Sequence, residues 1–534
     1  MKKKHLLLLS VLSGVLLTAG WPVNGFPAFL FAALVPMLLI EQYIAEHKDK
    51  FSAYSVFFYT YPGFFIWNMA TCWWIWNSTP VATLAWLFNA MFMSIVFQVF
   101  HYTRMRIYGK HRGYYILPIL WITFEFIHVN WKLTWPWLNL GHGFATYTHW
   151  IQWYEYTGIL GGTLWIWIAN IMLFKIVKPE EGKPTFRLVR IIGLLALILV
   201  PVFISYLIYF RYDEKSDPVH VVVTQPNLDP YSEQYSIPPV EVAQMNIDLA
   251  KPLIQENTRF IVAPESALQE AIWEGNLNWS PSLNLLDDFV DHNPEISFVI
   301  GASTFRRIPE GEKVPGSARF HKTQNFYYDR YNTAFLVDST KIKQKHHKSK
   351  LTPGVEYMPS WGPLSFLENL AIDLGGTVGS LGIDKDPKPF QSSGKAVIAP
   401  LICYESVYGE FAGQFVKDGA NIIFVITNDG WWGDTPGHKQ HLYFSPLRAI
   451  ETRRSIARSA NTGISCFIDQ RGDIHQATEY WEPDAIAAEL NFNDELTFYT
   501  KMGDYPGRIA ALISVLFILI GFTNGIIKKR KGLV

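Results

Sequence analysis

The sequence predicts two folds in one chain: an α-helical membrane bundle of about eight transmembrane helices, and a soluble α/β or layered α+β domain. Three observations predict this. Charged residues make up only 17% of the 534 residues, where about 25% is usual. Aromatic residues reach 16%, with 20 tryptophans. The charge is concentrated between about residues 212 and 505 and is sparse in long stretches on either side, so the two parts are built for different solvents. Lys plus Arg and Asp plus Glu number 46 each, which removes the basic excess expected of a nucleic-acid binder.

A spanning helix needs about 20 mostly apolar residues, because hydrocarbon offers backbone groups no partners but their own. Eight stretches qualify, roughly 6 to 20, 23 to 41, 52 to 75, 80 to 102, 114 to 131, 157 to 177, 190 to 210 and 507 to 527. For the first, Lys2, Lys3 and Lys4 ahead of Leu6 to Leu9, with small residues at Ala19-Gly20, fit a signal peptide. The lack of an A-x-A site and the closeness of the next span favour an uncleaved anchor. Basic residues of short loops stay on the cytoplasmic side. Lys48 and Lys50, then Arg104, Arg106, Lys110 and Arg112, then Lys175, Lys178, Lys183, Arg187 and Arg190 fall in alternate loops, and Lys528, Lys529, Arg530 and Lys531 close the chain. Both termini are therefore expected in the cytoplasm. Residues 1–211 form a membrane domain with seven spans, residues 212–505 a domain on the outer face, and residues 506–534 a last span with a basic tail.

Within 212–505, short runs rich in Val, Ile and Phe predict strands over His220 to Thr224, Arg259 to Ala263, Ser297 to Ala302, Thr333 to Asp338, Ala396 to Ile402, Ile422 to Thr427 and Ile464 to Asp469. Helical patterns lie between them, at Val240 to Glu256 and Ser445 to Ser459. Arg306 to Arg330, with Pro, Gly and mixed charge, predicts a surface excursion.

Reactive side chains favour strand ends, where a rigid scaffold hands over to an accessible loop. Phe260 to Ala263 runs into Pro264-Glu265-Ser266. A carboxylate there can be desolvated into a general base; equally, Ser266 and Gln269 fit the capping box of a helix start. Ala396 to Ile402 delivers Cys403, with Tyr404 and Glu405 next. A cysteine there serves either as a small buried hydrophobe or, if a base or cation eases its ionisation, as a nucleophile. Of the other cysteines, Cys72 lies in the third span and Cys466 falls mid-strand, where core packing is expected; a Cys403 to Cys466 disulfide is the oxidised alternative. The run Lys341, Lys343, Lys345, His346, His347, Lys348 and Lys350 reads as a solvated face, a contact to anionic headgroups, or the source of one lysine that stabilises an oxyanion. Composition does not choose that lysine. His438 and His441 have the spacing of a metal pair on a helix, but no third ligand is evident, which favours a hydrogen-bonding role.

Glu, Lys and Cys at strand ends in that order resemble the nitrilase or carbon-nitrogen hydrolase superfamily. With spans on both sides, the chain resembles its apolipoprotein N-acyltransferase branch over essentially its whole length. Pro264-Glu265-Ser266 is similar to the base motif, and His346-His-Lys-Ser-Lys-Leu-Thr-Pro-Gly-Val-Glu356 to Y-x-K-x-H-L-V-P-F-G-E, which selects Lys348 and aligns Glu356. Leu401-Ile-Cys-Tyr-Glu405 resembles the nucleophile motif. Thr427 to Gly433, Gln440 to Leu442, Arg448 to Glu451, Arg458 to Gly463 and, among the spans, Trp135 to Gly141 resemble further family stretches. The chain departs from the pattern at His346, Lys350 and Pro353-Gly-Val-Glu356. The family's tryptophan after the first domain strand has Tyr235 as its nearest counterpart.

The resemblance implies a nitrilase-like α-β-β-α sandwich and an acyl exchange through Cys403, with Glu265 as base, Lys348 at the oxyanion, and Glu356, Tyr404 and Glu405 in support. The donor is a membrane phospholipid and the acceptor a diacylated lipoprotein, at the outer face of a bacterial inner membrane, with no metal or other cofactor and a monomer expected. The rival is a membrane-tethered amidase that uses the same three residues on small amides.

Overall fold

The structure is a computed structural model that describes residues 2–78, 83–179, 187–357, 380–392 and 394–530. Lys183 and Lys531, both part of the basic pattern, lie outside the described residues. The chain divides into two compact units, Met1–Trp73 with Thr83–Arg211 and Met502–Val534, and Trp74–Ala82 with Tyr212–Lys501.

The first unit is helical. Among the described residues, five of its helices are long and apolar enough to cross a membrane: Pro27–Glu46, Leu84–Ile107, Tyr154–Val177, Arg187–Arg211 and Tyr505–Arg530. The other three expected spans fall short of that standard. Lys3–Ala19 has 17 residues and Ile116–Asn130 has 15, while Ser55–Cys72 has 18 but carries Pro62 and Asn68 among its aromatics. Among the described residues, length and composition alone therefore establish five of the eight expected spans. In Arg187–Arg211 only 6% of the apolar window is buried, and in Tyr505–Arg530 only 17%; such surfaces are stable against hydrocarbon and not against water. Small residues let the helices meet closely. A Cβ on Gly14 would come within 2.4 Å of the Gly63 carbonyl oxygen, and the Gly63 N–H donates to Ser10 Oγ at 2.9 Å.

The third expected span ran to residue 75, yet its helix ends at Cys72 and Trp74 belongs to the second unit. There the Trp74 indole packs on Trp432 with centroids 4.8 Å apart and donates to Gln440 at 3.2 Å. A Cβ on Gly437 would meet the Trp74 ring at 2.6 Å. Aromatic hydropathy hid this change of solvent.

The second unit stacks helix, sheet, sheet and helix. Its strands are β1 Pro218–Gln225, β2 Thr258–Val262, β3 Leu268–Trp273, β4 Ser297–Arg307, β5 Arg319–His321, β6 Phe326–Val337, β7 Gln344–His347, β8 Phe390–Gln391, β9 Val397–Ile402, β10 Ile422–Thr427, β11 Ile456–Ala460, β12 Cys466–Ile468, β13 Ile474–His475 and β14 Asp484–Asn491. Among the described residues one sheet runs β14-β1-β2-β4-β6-β5, with β3 on β4 and β7 on β6, and the other runs β13-β12-β11-β10-β9-β8. The parallel pairs β1–β2, β2–β4, β9–β10 and β10–β11 bring strand ends to one side of each sheet. Helices Pro239–Ala250 and Pro281–His292 close a core with the first sheet through Val242, Ile247, Leu286 and Val290. Gly409–Lys417 and Pro436–Thr452 do so for the second through Phe415, Val416, Leu442 and Ala449. The inner faces meet at Phe260 and Phe424, with centroids 5.3 Å apart, and Ser459 donates to the Thr224 carbonyl at 2.8 Å.

One expectation is corrected here. The helix expected over Ser445 to Ser459 begins at Pro436 and ends at Thr452; Arg453, at φ 52, turns the chain, and Ile456–Ala460 becomes a strand parallel to β10. The expected surface excursion from Arg306 to Arg330 lies largely at the surface, with strand in the ends of β4 and β6 and in β5.

Candidate active site

Glu265 leaves β2 into a turn and not into a helix. Ser266 takes φ 56 and Leu268 starts β3, so the capping-box alternative fails. The turn lies on Gly301 of β4, where a Cβ would approach the Glu265 Cα to 2.6 Å, and the Gly301 N–H donates to the Pro264 carbonyl at 3.0 Å. The absence of a side chain at 301 is what lets Glu265 sit there.

Lys348 follows β7, and its N–H donates to the Asn332 carbonyl on β6 at 2.8 Å. Its ammonium lies 3.1 Å from Glu265 Oε1 and 2.9 Å from Glu356. Asn332 joins the same carboxylates, its Nδ2 donating to Glu265 at 2.7 Å and to Glu356 at 3.0 Å. The remaining oxygens accept backbone N–H groups, Glu265 Oε2 from Asn428 at 3.0 Å and Glu356 Oε2 from Thr352 at 2.9 Å.

Cys403 stands directly after β9 at φ 50. That backbone region costs a non-glycine residue on the order of 1–3 kcal/mol and marks sites that the surroundings hold in place. The Cys403 carbonyl accepts from Ser406 Oγ at 2.8 Å and lies 3.1 Å from His441 Nε2. Glu405 is fully buried and accepts from the N–H groups of Ile402 at 2.8 Å and Ser349 at 2.6 Å, with His346 Nε2 at 3.0 Å. One carboxylate thus ties the residue before the thiol to the residue after Lys348.

Glu265, Lys348, Glu356, Cys403, Asn332 and Tyr235 line a common cleft of about 130 Å³, with Trp431, Trp432 and Ser78 also on its wall. Burial, and then the Glu265 carboxylate, pushes the Cys403 thiol well above the ordinary thiol range against the pull of Lys348. Burial also raises Glu265 above the usual carboxylate range, although Lys348 opposes it. For Lys348 burial disfavours the charge, but Glu265 and Glu356 outweigh burial and hold the ammonium charged. Two carboxylates already face one ammonium, so a free thiolate would be a third anion. A thiolate is therefore disfavoured in this cleft unless the proton passes to a neighbouring group.

The other residues singled out in the sequence separate from the cleft. Cys466 is a core residue of the second sheet, 0% exposed against 9% for Cys403, and all three cysteines, Cys72 included, are free, so the disulfide alternative is overturned. Lys341, Lys343 and Lys345 pair with Asp291, Asp287 and Glu274, and Lys350 lies over Tyr408 and Phe411. Lys341 and Lys345 stay exposed, as on a solvated face, while Lys343 and Lys350 are partly covered. Tyr404 is buried edge-on to Tyr408. His438 stacks on Tyr480 at 4.0 Å, away from His441. His441, Asp429 and Cys403 have ligand-type atoms within 4.8 Å of one another. That donor set does not fit a metal ion, because Asp429 is spent on His441 at 2.9 Å, Thr427 at 2.8 Å and the Arg458 guanidinium at 2.6 Å, and a guanidinium there opposes a second cation.

The geometry can be set beside known proteins. Residues 13–172 match the model of the apolipoprotein N-acyltransferase N-terminal domain, and residues 295–495 match that of carbon-nitrogen hydrolase. An apolipoprotein N-acyltransferase of Chlorobaculum tepidum is 26% identical over 96% of this chain and 96% of its own length. One from Geobacter metallireducens is 27% identical over 93% and 91%. The chain belongs to the apolipoprotein N-acyltransferase family. A further member, apolipoprotein N-acyltransferase 1 of Treponema denticola, is 25% identical over 98% of both chains. The relatives match at close to full length, so the helical unit is part of the family's architecture and the second unit is its nitrilase-like α/β domain. Lys348, Glu356, Cys403 and Glu405 fall inside the carbon-nitrogen hydrolase match, and Glu265 lies ahead of it.

Sequence reasoning missed Asn332 on β6 and took Asn428, just after β10, only as part of the Thr427 to Gly433 stretch; both hold Glu265. The signal at Asn332 is an amide just ahead of the apolar run Ala334 to Val337, and it does not distinguish a site from a satisfied core amide.

Proposed function

We propose that this enzyme transfers an acyl chain from a membrane phospholipid, through a thioester on Cys403, to the N-terminal amine of the diacylglyceryl-cysteine of an apolipoprotein. One observation carries the reading: Glu265 and Lys348, 3.1 Å apart, line the cleft into which Cys403 opens, in a chain of this family. In the first step the Cys403 sulfur attacks the ester carbonyl carbon while Glu265 takes the thiol proton. The Lys348 ammonium and a backbone N–H face the developing oxyanion. Collapse breaks the bond to the glycerol oxygen, which takes the proton from Glu265 and leaves in a lysophospholipid. In the second step the acceptor amine attacks the thioester carbon and gives a proton to Glu265. The carbon–sulfur bond breaks and the sulfur regains that proton, so the sum is an amide plus a lysophospholipid, with no water consumed.

Glu356 supports Lys348 directly. Glu405 acts at one remove, through the backbone on either side of the two reacting groups, and Tyr404 packs beside the nucleophile turn. Both substrates carry acyl chains in the bilayer, which favours a site presented to the outer leaflet of a bacterial inner membrane, with both termini cytoplasmic and the enzyme a monomer. The amidase reading leaves the matched N-terminal domain without a task.

The test is transfer of a labelled acyl chain from phospholipid in micelles to a synthetic diacylglyceryl-cysteine peptide. One lysophospholipid should form for each acylated peptide. Turnover of soluble amides with no lipid consumed would overturn the proposal.

A further inference from the structure

A second cavity lies wholly within the helical unit and shares no residue with the cleft. It has about 700 Å³ of free space and is lined by Gln42, Glu46, His111, Arg112, Tyr114, Phe174, Lys175, Lys178 and Pro179, within the usual size range of small-molecule sites. It opens where Pro27–Glu46, Leu84–Ile107 and Tyr154–Val177 end and Ile116–Asn130 begins. Its inner wall is apolar, formed by the buried rings of Tyr114 and Phe174, 4.9 Å apart. Its rim is basic. The acid in the lining, Glu46, is spent on Lys178 at 2.6 Å and Gln42 at 2.7 Å. Arg112 and Lys175 are exposed, and among the described residues neither has an ion-pair partner. The rim is also held in place. Arg104, fully buried, is gripped by both oxygens of Glu41 at 2.7 Å and donates to the carbonyls of Gly109 at 3.2 Å and Lys110 at 2.7 Å, which fixes the turn that carries His111 and Arg112. Gln42 Nε2 lies 3.2 Å from His111 Nδ1.

A largely polar pocket with two buried rings at its base and a cationic rim, at the ends of spanning helices, has the chemistry of a site for a phosphate-bearing lipid headgroup. We propose that this cavity binds the headgroup of an anionic phospholipid, its phosphate between Arg112 and Lys175 and its glycerol end against Tyr114 and Phe174. This does not rest on the acyl-transfer reading, since none of these residues touches the reacting atoms.

The test uses full-length Cys403→Ala protein, which cannot turn lipid over, in neutral detergent. Binding of dihexanoyl phosphatidylglycerol, dihexanoyl phosphatidylcholine and inorganic phosphate is titrated by native mass spectrometry. Phosphatidylglycerol should bind best, and Arg112→Gln with Lys175→Gln should weaken it about thirtyfold, at roughly fivefold per basic contact. Lys48→Gln with Lys50→Gln removes the same charge from exposed positions outside the lining and should change affinity by no more than about twofold. Equal weakening by both pairs, no weakening by the first, or equal binding of phosphatidylcholine would overturn the site. Inorganic phosphate binding as tightly as the lipid would overturn the lipid as occupant.

Discussion

Cys403, just past β9, and Cys466, in β12, are set by strands of the same sheet, both buried and both free, yet only Cys403 lines the cleft. Cys466 starts β12 within a packed apolar cluster, and burial pushes its thiol up to about 12 against the pull of the Arg458 guanidinium. Cys403 has left β9, sits at φ 50, and shares its cleft with a carboxylate and an ammonium. Burial raises both thiols, so burial does not separate a nucleophile from a core residue. What differs is the cleft: Cys403 shares it with the Glu265 carboxylate and the Lys348 ammonium, and Cys466 does not line it.

The sharpest way to break this comparison is to exchange the fates of the two sulfurs. Cys403→Ala should abolish acyl transfer in the micelle assay. Cys466→Ala should leave turnover within about twofold and cost about 1 kcal/mol of stability in thermal unfolding, as small core truncations do. Next in size is the base. Glu265→Gln keeps the shape of the site and should lower the rate of thioester formation by about 10²- to 10⁴-fold, measured by rapid quench. Burial raises the Glu265 carboxyl, and the carboxylate is the competent form. Wild-type thioester formation should therefore rise as pH increases through a midpoint above the ordinary glutamate value, and Glu265→Gln should lose that limb of the profile. Asn332→Ala removes an amide that holds both Glu265 and Glu356; it should slow the acylation step about tenfold, the scale of one lost hydrogen bond to a charged group. The smallest effect is expected at Lys345, whose partly exposed ammonium pairs with the buried Glu274 away from the cleft. Glu274 keeps its contact to His347, so Lys345→Gln should cost about 1 kcal/mol of stability and leave turnover unaltered.

The same comparison shows what sequence can and cannot reveal. Glu265, Lys348 and Cys403 were legible because each follows a strand and because family motifs aligned them. Neither source of information gave the environment of each. The choice of Lys348 from a run of basic residues depended on that alignment. The pairs that occupy Lys341, Lys343 and Lys345 come from acids 50 to 71 residues away, beyond the reach of local patterning. Ser266 fits a helix cap by residue type, but it takes φ 56 because Gly301 draws the turn onto β4, a tertiary effect that no capping rule contains. The strand at Ile456–Ala460 was hidden because its alternation includes Arg458 and Ser459, polar residues that are fully buried through Asp429 and the Thr224 carbonyl. Trp74 to Ser78 was hidden because tryptophan suits both a bilayer edge and a cleft wall.

The most direct measurement is the intact mass of the purified protein after incubation with a phospholipid of defined acyl chains and no acceptor. The account predicts a mass increase of one acyl group, mapped to Cys403, released by hydroxylamine, absent in Cys403→Ala and retained in Cys466→Ala. An unmodified wild-type protein that still consumes the lipid, or an acyl group on any other residue, would contradict it.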